Sequence, residues 1–328
     1  MANFILNLIS RSILNKQNSN NISFFKSINK NKKNLKIFDI GGAGGIQTRW
    51  KLYEKLVDVT FFEPDKRSSN QLKKKGIKVI EKALWSKKTS KKLYLTRKLH
   101  TSSFFKPNRN FLDQFSDSQR YDIVGTKEMD LSKMDDHINE KNQPHFIKLD
   151  VQGAELEILK GSKKTLKNVL AIEIELNFKE IYVKMPLSFA VDNFLTKNDF
   201  IFNDYLTFFR WERLPHKAFD EVLRMGELVH SDALYIKSQE DIFNLANNSK
   251  DQMDIFENYI KILFSYNKLD LIKTFSKKIT KKENKLLNLD RIILCLEKKQ
   301  KKLIRLNKLF LYFTRYFVSK DILSHWKL

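Results

Sequence analysis

Short apolar runs alternate with amphipathic stretches over the first two thirds of the chain. LKIFDI, Leu35 to Ile40, is an apolar run of strand length, and VDVTFFEPD is a second, ending at Glu63 and closed by Pro64. Between them, QTRWKLYEKL has apolar residues at helical spacing. After them, KRSSNQLKKKG reads as a helix that Gly76 caps. IKVIEKALW then reads as a third strand and a loop. Strand, helix, strand, helix, strand is the pattern of a doubly wound parallel sheet, an α/β fold.

The middle of the chain is less regular. KKLYLTRKL and YDIVGTKEMDL read as strands flanking a polar loop, Thr101 to Gln119. HFIKLDV, after Pro144, is a fourth sheet strand, and GAELEILKGSKKTL is helical with Gly161 breaking or capping it. NVLAIEIEL is a fifth strand, and Pro186 opens a helix from Leu187 to Lys197. DFIFNDYLTFFRWE and HSDALYIKS complete the sheet near Ser238. From Asp241 onward there is no Gly or Pro, and apolar residues recur at helical spacing. NLANNSKDQ reads as a linker. The expected organisation is an N-terminal helix and polar arm over 1–33, an α/β domain over 34–238 and an all-helical basic extension over 248–328.

Composition narrows the class. The chain has 328 residues and is 42% hydrophobic, enough for a substantial core. Its one cysteine, Cys295, excludes an intrachain disulfide and points to a reducing compartment. Asn7 and Arg11 interrupt the first apolar run, so it does not read as a signal peptide, and no run reaches the length of a membrane span. The expected location is therefore cytoplasmic. The net charge of +23 invites a nucleic-acid or membrane partner, but the excess is mostly Lys in a chain also rich in Asn and Ile, a bias that base composition alone produces. One concentration is local. From Lys273 to Leu328 there are 16 Lys and Arg against 4 Asp and Glu, and LIRLNKLFLYFTRYF interleaves basic with aromatic residues. Such a face suits an anionic membrane, a lipid-linked glycan or RNA, and equally a solvated face of packed helices.

Glycine marks the candidate site. Of 9 glycines, Gly41, Gly42, Gly44 and Gly45 fall within five positions, between a strand and a helix. There, backbone N–H groups and close approach of the chain suit a bound ligand. An acid, Glu63, ends the next strand, at roughly the 20-residue distance at which a carboxylate reaches ribose hydroxyls in nucleoside folds. Asp39 precedes the glycines, in Asp-x-Gly-x-x-x-Gly, and no Gly-Lys-Ser/Thr follows. An acid there suits a ligand with a cationic part, such as S-adenosylmethionine with its ammonium and sulfonium. It would repel the pyrophosphate of a dinucleotide.

FDIGGAGGIQT, FFEPD, TSSF, MDLSKMDD and FIKLDVQGAELEILKGSKKTL together, in this order, resemble the FkbM-type S-adenosylmethionine-dependent methyltransferases. The resemblance runs from about 35 to 238 and leaves out the helices after 240. It departs from the family run at Gln152, where a Glu is usual, and at Gly42 and Ala43, where an Ala-Asn pair is common. It implies a Rossmann-like class I methyltransferase sheet. Asp39, Gly41 and Gly45 would line the methionine part of the cofactor, Glu63 would hold the ribose, and Ala83 and Leu84 would lie near adenine. Ser102 and Ser103 fall in a loop over the site, and Lys148 and Asp150 end the fourth strand. Asp150 is the expected base or acceptor-orienting group, with Lys148 pairing it or binding an anionic acceptor; a plain structural ion pair is the alternative. Glu155 and Glu157 suit a helix start, while Glu173, Glu175 and His230 are further candidate bases. No metal site is expected. The implied reaction is methyl transfer to an oxygen of a small-molecule or glycan acceptor, a sugar hydroxyl of a surface glycan or similar metabolite. Nucleic acid is disfavoured. An RNA methyltransferase and an inactive cofactor-binding scaffold remain alternatives.

Overall fold

The apolar run Leu35–Ile40 forms β1, the strand on which the site is built. It is followed by α1 (Thr48–Lys51), β2 (Val57–Phe62), α2 (Lys66–Lys74), β3 (Lys78–Ile80), β4 (Ala83–Leu84) and β5 (Thr89–Thr96). Next come α3 (Arg109–Leu112), β6 (Ile123–Ser132), β7 (Phe146–Leu149), α4 (Glu155–Lys160), α5 (Lys163–Leu166) and β8 (Ala171–Asn177). Then follow α6 (Ser188–Thr196), β9 (Phe200–Tyr205), β10 (Phe209–Trp211), β11 (Glu227–Lys237), α7 (Gln239–Asn247) and α8 (Gln252–Ser265). The chain continues through α9 (Leu269–Lys278), α10 (Lys281–Leu287) and α11 (Leu289–Thr314). This computed structural model describes residues 22–23, 25–28, 33–42, 45–213 and 226–314. Most of the expected N-terminal arm and the last 14 residues lie outside them.

The main sheet has the order β10-β11-β8-β7-β1-β2-β3, with β9 also paired to β11. β8, β7, β1, β2 and β3 run parallel, and β11 runs antiparallel to β8. The strand order reverses between β1 and β7, and in such sheets ligands bind outside the carboxyl ends at that point. IKVIEKALW splits between two sheets. Lys78–Ile80 ends the main one, while Ala83–Leu84 joins β5 and β6 in a three-stranded sheet of order β4-β6-β5. The helix expected over QTRWKLYEKL is a single turn. After it, Tyr53 N–H donates to Trp50 O at 2.8 Å and Leu56 N–H to Tyr53 O at 2.7 Å, a three-residue spacing that buries both Trp50 and Tyr53. Gly161 ends α4, where a Cβ would fall 2.1 Å from Trp85 O. The core under the sheet joins Phe38, Ile40, Ile147, Leu149, Ile172, Ile174 and Leu195.

Two compact units divide the chain, Asn31–Ile262 and Met1–Lys30 with Leu263–Leu328. The segment expected as a linker, NLANNSKDQ, divides: 244–247 finish helix α7, whose N-cap Ser238 accepts from Asp241 N–H at 3.0 Å, and 248–251 form the turn before α8. In the smaller unit α9 and α10 pack on α11, burying Ile272, Phe275, Leu287 and Ile292. Thr280 and Glu283 form a capping box at the start of α10.

Candidate active site

The strand register assembles the site. Asp39 of β1 pairs with Lys148 of β7, and Lys148 with Glu173 of β8, so all three side chains share one face. On β11, Asp232 pairs with Glu175 and His230 with Asn177. A cavity of about 490 Å³ opens at the carboxyl ends, and among the residues expected to bind or react Asp39, Gly41, Gly45, Glu63, Ala83, Leu84, Ser103, Lys148 and Asp150 line it.

The glycine turn is sewn to both neighbouring strands. Gly41 N–H donates to Phe62 O at 3.3 Å, and Asp150 N–H to Ile40 O at 3.1 Å. Gly41 has φ +88°, and a Cβ there would sit 1.9 Å from the Asp150 carbonyl oxygen. Only glycine fits that position. Gly45, at φ +96°, donates to Gly42 O at 3.1 Å. Asp39 beside this turn is 3% exposed, and its Oδ1 has no hydrogen-bond partner among the described residues. Burial pushes its carboxyl up to about 7, with Lys148 pulling the other way. Burial likewise pushes Glu63 up to about 7, although its Oε1 accepts from Asp65 N–H at 2.8 Å.

The turn after β7 is held from several sides. Asp150 Oδ2 lies 3.2 Å from Lys148 Nζ, and its Oδ1 accepts from Gln152 Nε2 at 3.2 Å. The Asp150 side chain stays 34% exposed, against 10% for Lys148, so an oxygen face remains open to the cavity. Burial works against the Lys148 ammonium, but the Asp150, Asp39 and Glu173 carboxylates outweigh it and hold its pKa above the ordinary lysine value. Gln152 stands at φ 55°, a left-handed conformation, followed by Gly153 at φ 96°. Its Oε1 accepts from the buried Tyr182 hydroxyl at 2.9 Å. Ser103 has its hydroxyl committed to the chain: it donates to Gln152 O at 2.6 Å and accepts from Phe105 N–H at 3.0 Å. It therefore braces the wall of the cavity. Glu155 accepts from Val151 N–H at 2.9 Å and Gly153 N–H at 3.3 Å, which closes the turn and keeps Glu155 out of the cavity lining. Glu157 is bonded to Ser86 and Lys160 and also lies outside.

The further candidates separate. Glu173 accepts from Gln47 Nε2 at 2.6 Å, with Arg49 Nε at 3.9 Å, and does not line the cavity. Glu175 does line it; burial, then Asp150, raise its pKa well above the ordinary value. His230 Nδ1 lies 3.5 Å from Glu175 Oε2, and the ring stacks on Phe209 at 4.3 Å. Burial lowers His230 to about 4, so it is neutral near pH 7. Sequence reasoning missed Asp232, which lines the cavity, is raised to about 6 by burial, and bonds Thr207 at 3.1 Å. The signal was present: Asp232 is two residues from His230 on a strand, hence on the same face. It also missed Leu93, Leu95 and His100, which the small sheet and its following turn bring to the rim. Among the described residues no group of His, Cys, Asp and Glu is placed to hold a metal ion.

The model of the methyltransferase FkbM domain matches residues 39–202, half of the chain. The chain belongs to the FkbM methyltransferase family. It is a methyltransferase, and the matched span begins at Asp39 and contains the whole glycine turn, Glu63 and the Asp150 turn. No protein of curated function matches the sequence. Among solved structures, magnesium protoporphyrin IX methyltransferase from Synechocystis with bound SAM is 10% identical, with a TM-score of 0.33 over 71% of this chain and 85% of that one. Precorrin-6y C5,15-methyltransferase from Geobacter metallireducens is 12% identical, with a TM-score of 0.34 over 66% and 86%. TrmK of M. capricolum with S-adenosyl-homocysteine is 10% identical, with a TM-score of 0.27 over 84% and 96%.

The cavity fits S-adenosylmethionine. The buried, unpartnered Asp39 oxygen is a place for an ammonium group, Glu63 at the next strand end for ribose hydroxyls, and apolar Ala83 and Leu84 for a flat base. Among the described residues no helix is long and apolar enough to cross a membrane.

Proposed function

We propose that this methyltransferase binds S-adenosylmethionine along Asp39, Gly41, Gly45, Glu63, Ala83 and Leu84, and methylates an oxygen, a sugar hydroxyl, presented to Asp150. The observation that carries the reading is the Asp150 carboxylate, anchored at one oxygen by Lys148 and at the other by Gln152, and facing the cavity. Bound S-adenosylmethionine supplies a methyl group already activated on a sulfonium. The chain then has to hold the acceptor in line, and such positioning supplies roughly 7–11 kcal/mol. Asp150 accepts the hydrogen bond of the acceptor hydroxyl and takes its proton as the new bond to oxygen forms. Lys148 keeps that carboxylate in place and balances its charge.

The lining also bears on the acceptor. Asp39, Glu63, Asp65, Asp150, Glu175 and Asp232 face Lys82 and Lys148. That excess of acid supports an uncharged, hydroxyl-rich acceptor over a phosphate-rich one such as RNA. The test is transfer of labelled methyl from S-adenosylmethionine to cell glycans and, separately, to total RNA. Glycans that gain the label, and one CH₂ of mass, support the reading; label that ribonuclease releases overturns it.

We further propose that the helices from about 248 onward act as a basic module drawing the enzyme to anionic surfaces. Lys277, Lys278, Lys281, Lys282, Lys285 and Arg291 are exposed there. Replacing these six by Gln should weaken co-sedimentation with anionic vesicles, and raised salt should do the same to the unaltered protein. Unchanged binding in the variant would leave the charge as composition alone.

A further inference from the structure

The end of the sheet away from the cofactor cavity carries a second cavity of about 430 Å³. β11 runs antiparallel to β8, so its last residue, Lys237, lies where the parallel strands begin, and its N–H donates to Leu170 O at 2.9 Å. Lys237 lines this cavity together with Lys163, Lys167 and Lys197, against Asp199 and Asp241.

Lys237 is unlike the other three. It is 3% exposed, whereas they lie on the surface. Its ammonium sits 4.5 Å from the centre of the Phe200 ring, and its one hydrogen bond is long, 3.5 Å to Asn198 O. Asp241 accepts from the Ser238 hydroxyl at 2.5 Å, and Asp199 is exposed. Both act on Lys237 only at longer range, and burial lowers its pKa in spite of them. A buried ammonium held by one long hydrogen bond and a ring face is incompletely compensated, since a charge out of water needs an opposite charge and full hydrogen bonding. Of the preceding strand positions, Ile236 is apolar and the Tyr235 hydroxyl is taken by Asp192 at 2.9 Å, so neither supplies an anionic partner for a cation here.

We infer that this cavity binds the phosphate group of a small phosphorylated compound, with Lys237 as the buried contact and Lys163, Lys167 and Lys197 at the rim. Lysine binds phosphate as a point charge and can give three hydrogen bonds, of which Lys237 now makes one. The volume exceeds that of a single phosphate, which leaves room for the group that carries it. A soluble metabolite and a phospholipid headgroup offer the same chemistry. The site is separate from methyl transfer and does not depend on which acceptor is methylated.

The experiment uses the full chain and inorganic pyrophosphate, titrated by calorimetry at constant ionic strength. Saturable binding is expected, weakened by about 10-fold or more in Lys237→Met, as for loss of a charged hydrogen-bonding partner. Without pyrophosphate, that variant should melt no lower than the unaltered protein, because it removes a poorly paired buried charge. The paired exposed change Lys167→Gln with Lys197→Gln leaves the core untouched and should weaken binding severalfold, which decides the matter if Lys237→Met does not fold. Absence of saturable binding, or equal affinity in the variants that fold, overturns the inference. Vesicles containing phosphatidic acid separate the sources. A headgroup site shows vesicle binding that pyrophosphate competes away and Lys237→Met reduces; a metabolite site shows pyrophosphate binding with vesicle binding the same in both proteins.

Discussion

The cavity at the carboxyl ends of the strands is lined by six acidic side chains against Lys82 and Lys148; the one at the opposite end of the sheet is lined by four lysines against two aspartates. The net charge of +23 describes neither place. Most of the described lysines are exposed, where water and salt screen them. What differs between the two ends is burial. Asp39 and Glu63 are buried without full compensation in one cavity, and Lys237 in the other. A buried charge that lacks a partner is a more specific sign of a ligand than any number of surface charges, and its sign indicates which ligand.

The contrast is sharpest in turnover. Asp150→Asn keeps shape and removes the base, so methyl transfer should fall by roughly 10²–10⁴, with cofactor affinity little changed. Lys237→Met, at the other end, should leave turnover as it is. Near-normal turnover in Asp150→Asn would place the base elsewhere on the acidic face, Glu175 first. Next in size is the turn beneath that face. Gly41→Ala must displace the Asp150 carbonyl and adopt a left-handed backbone, a cost of about 3 kcal/mol or more. Thermal melting should show a drop of roughly 6–12 °C together with lost cofactor binding. Glu63→Ala should weaken cofactor binding by about 10–100-fold, for the loss of hydrogen bonds to a charged group, read by calorimetry.

Acidity gives a smaller effect whose sign follows from the shifts. Asp39 rises from 3.8, and Glu63 from 4.5, to about 7 in the ligand-free fold. The fold therefore holds protons that the unfolded chain has lost, and this contribution to stability is present below about pH 4 and is lost as pH rises through about 7. A cationic ligand needs Asp39 ionised, so affinity should run the other way. S-adenosylhomocysteine should bind about tenfold more weakly at about pH 6 than at about pH 8, and Asp39→Asn should flatten that slope. A flat profile in the unaltered protein would separate Asp39 from the ligand ammonium. The smallest effect is expected at His230, neutral and stacked on Phe209. His230→Asn should change turnover by less than about tenfold, below the range of a lost base.

The sheet and its site were legible in the sequence because their signals are local. Leu35–Ile40 is apolar over strand length, the glycines mark a turn with positive φ, and Asp39, Glu63 and Asp150 stand at strand ends whatever the rest does. What depends on distant pairing was not legible. Ser103 looks like a ligand-binding hydroxyl, yet it bonds Gln152 O, 49 residues away. Gln152 looks like a lost carboxylate, yet its amide gives Asp150 a donor where a carboxylate could give none. Asp232 reaches the cavity only because β11 turns back antiparallel beside β8. NLANNSKDQ is polar enough for a linker, and 248–251 do form a turn, but its first four residues finish a helix that Ser238 caps and whose buried side is Ile242 and Ala246.

The bonds around Gln152 tie two remote segments into a single opening unit. Tyr182 O–H faces both Thr101 O, at 2.8 Å, and Gln152 Oε1, while Ser103 exchanges backbone hydrogen bonds with Tyr94 at 2.8 and 3.2 Å. Ser103 thus has the hydrogen bonding of a strand residue, and the Thr101 and Ser102 amides donate to Lys98 O at 3.0 Å and Leu99 O at 3.2 Å, so the segment is fully bonded although it lies in a loop at the mouth of a cavity. Its amides should exchange with deuterium as slowly as those of β5, and at the same rate as the Val151 and Gly153 amides, because neither segment can open without breaking the bonds of the other. Substrate then has to enter past a fixed wall, and whatever moves to admit it lies on another side of the cavity.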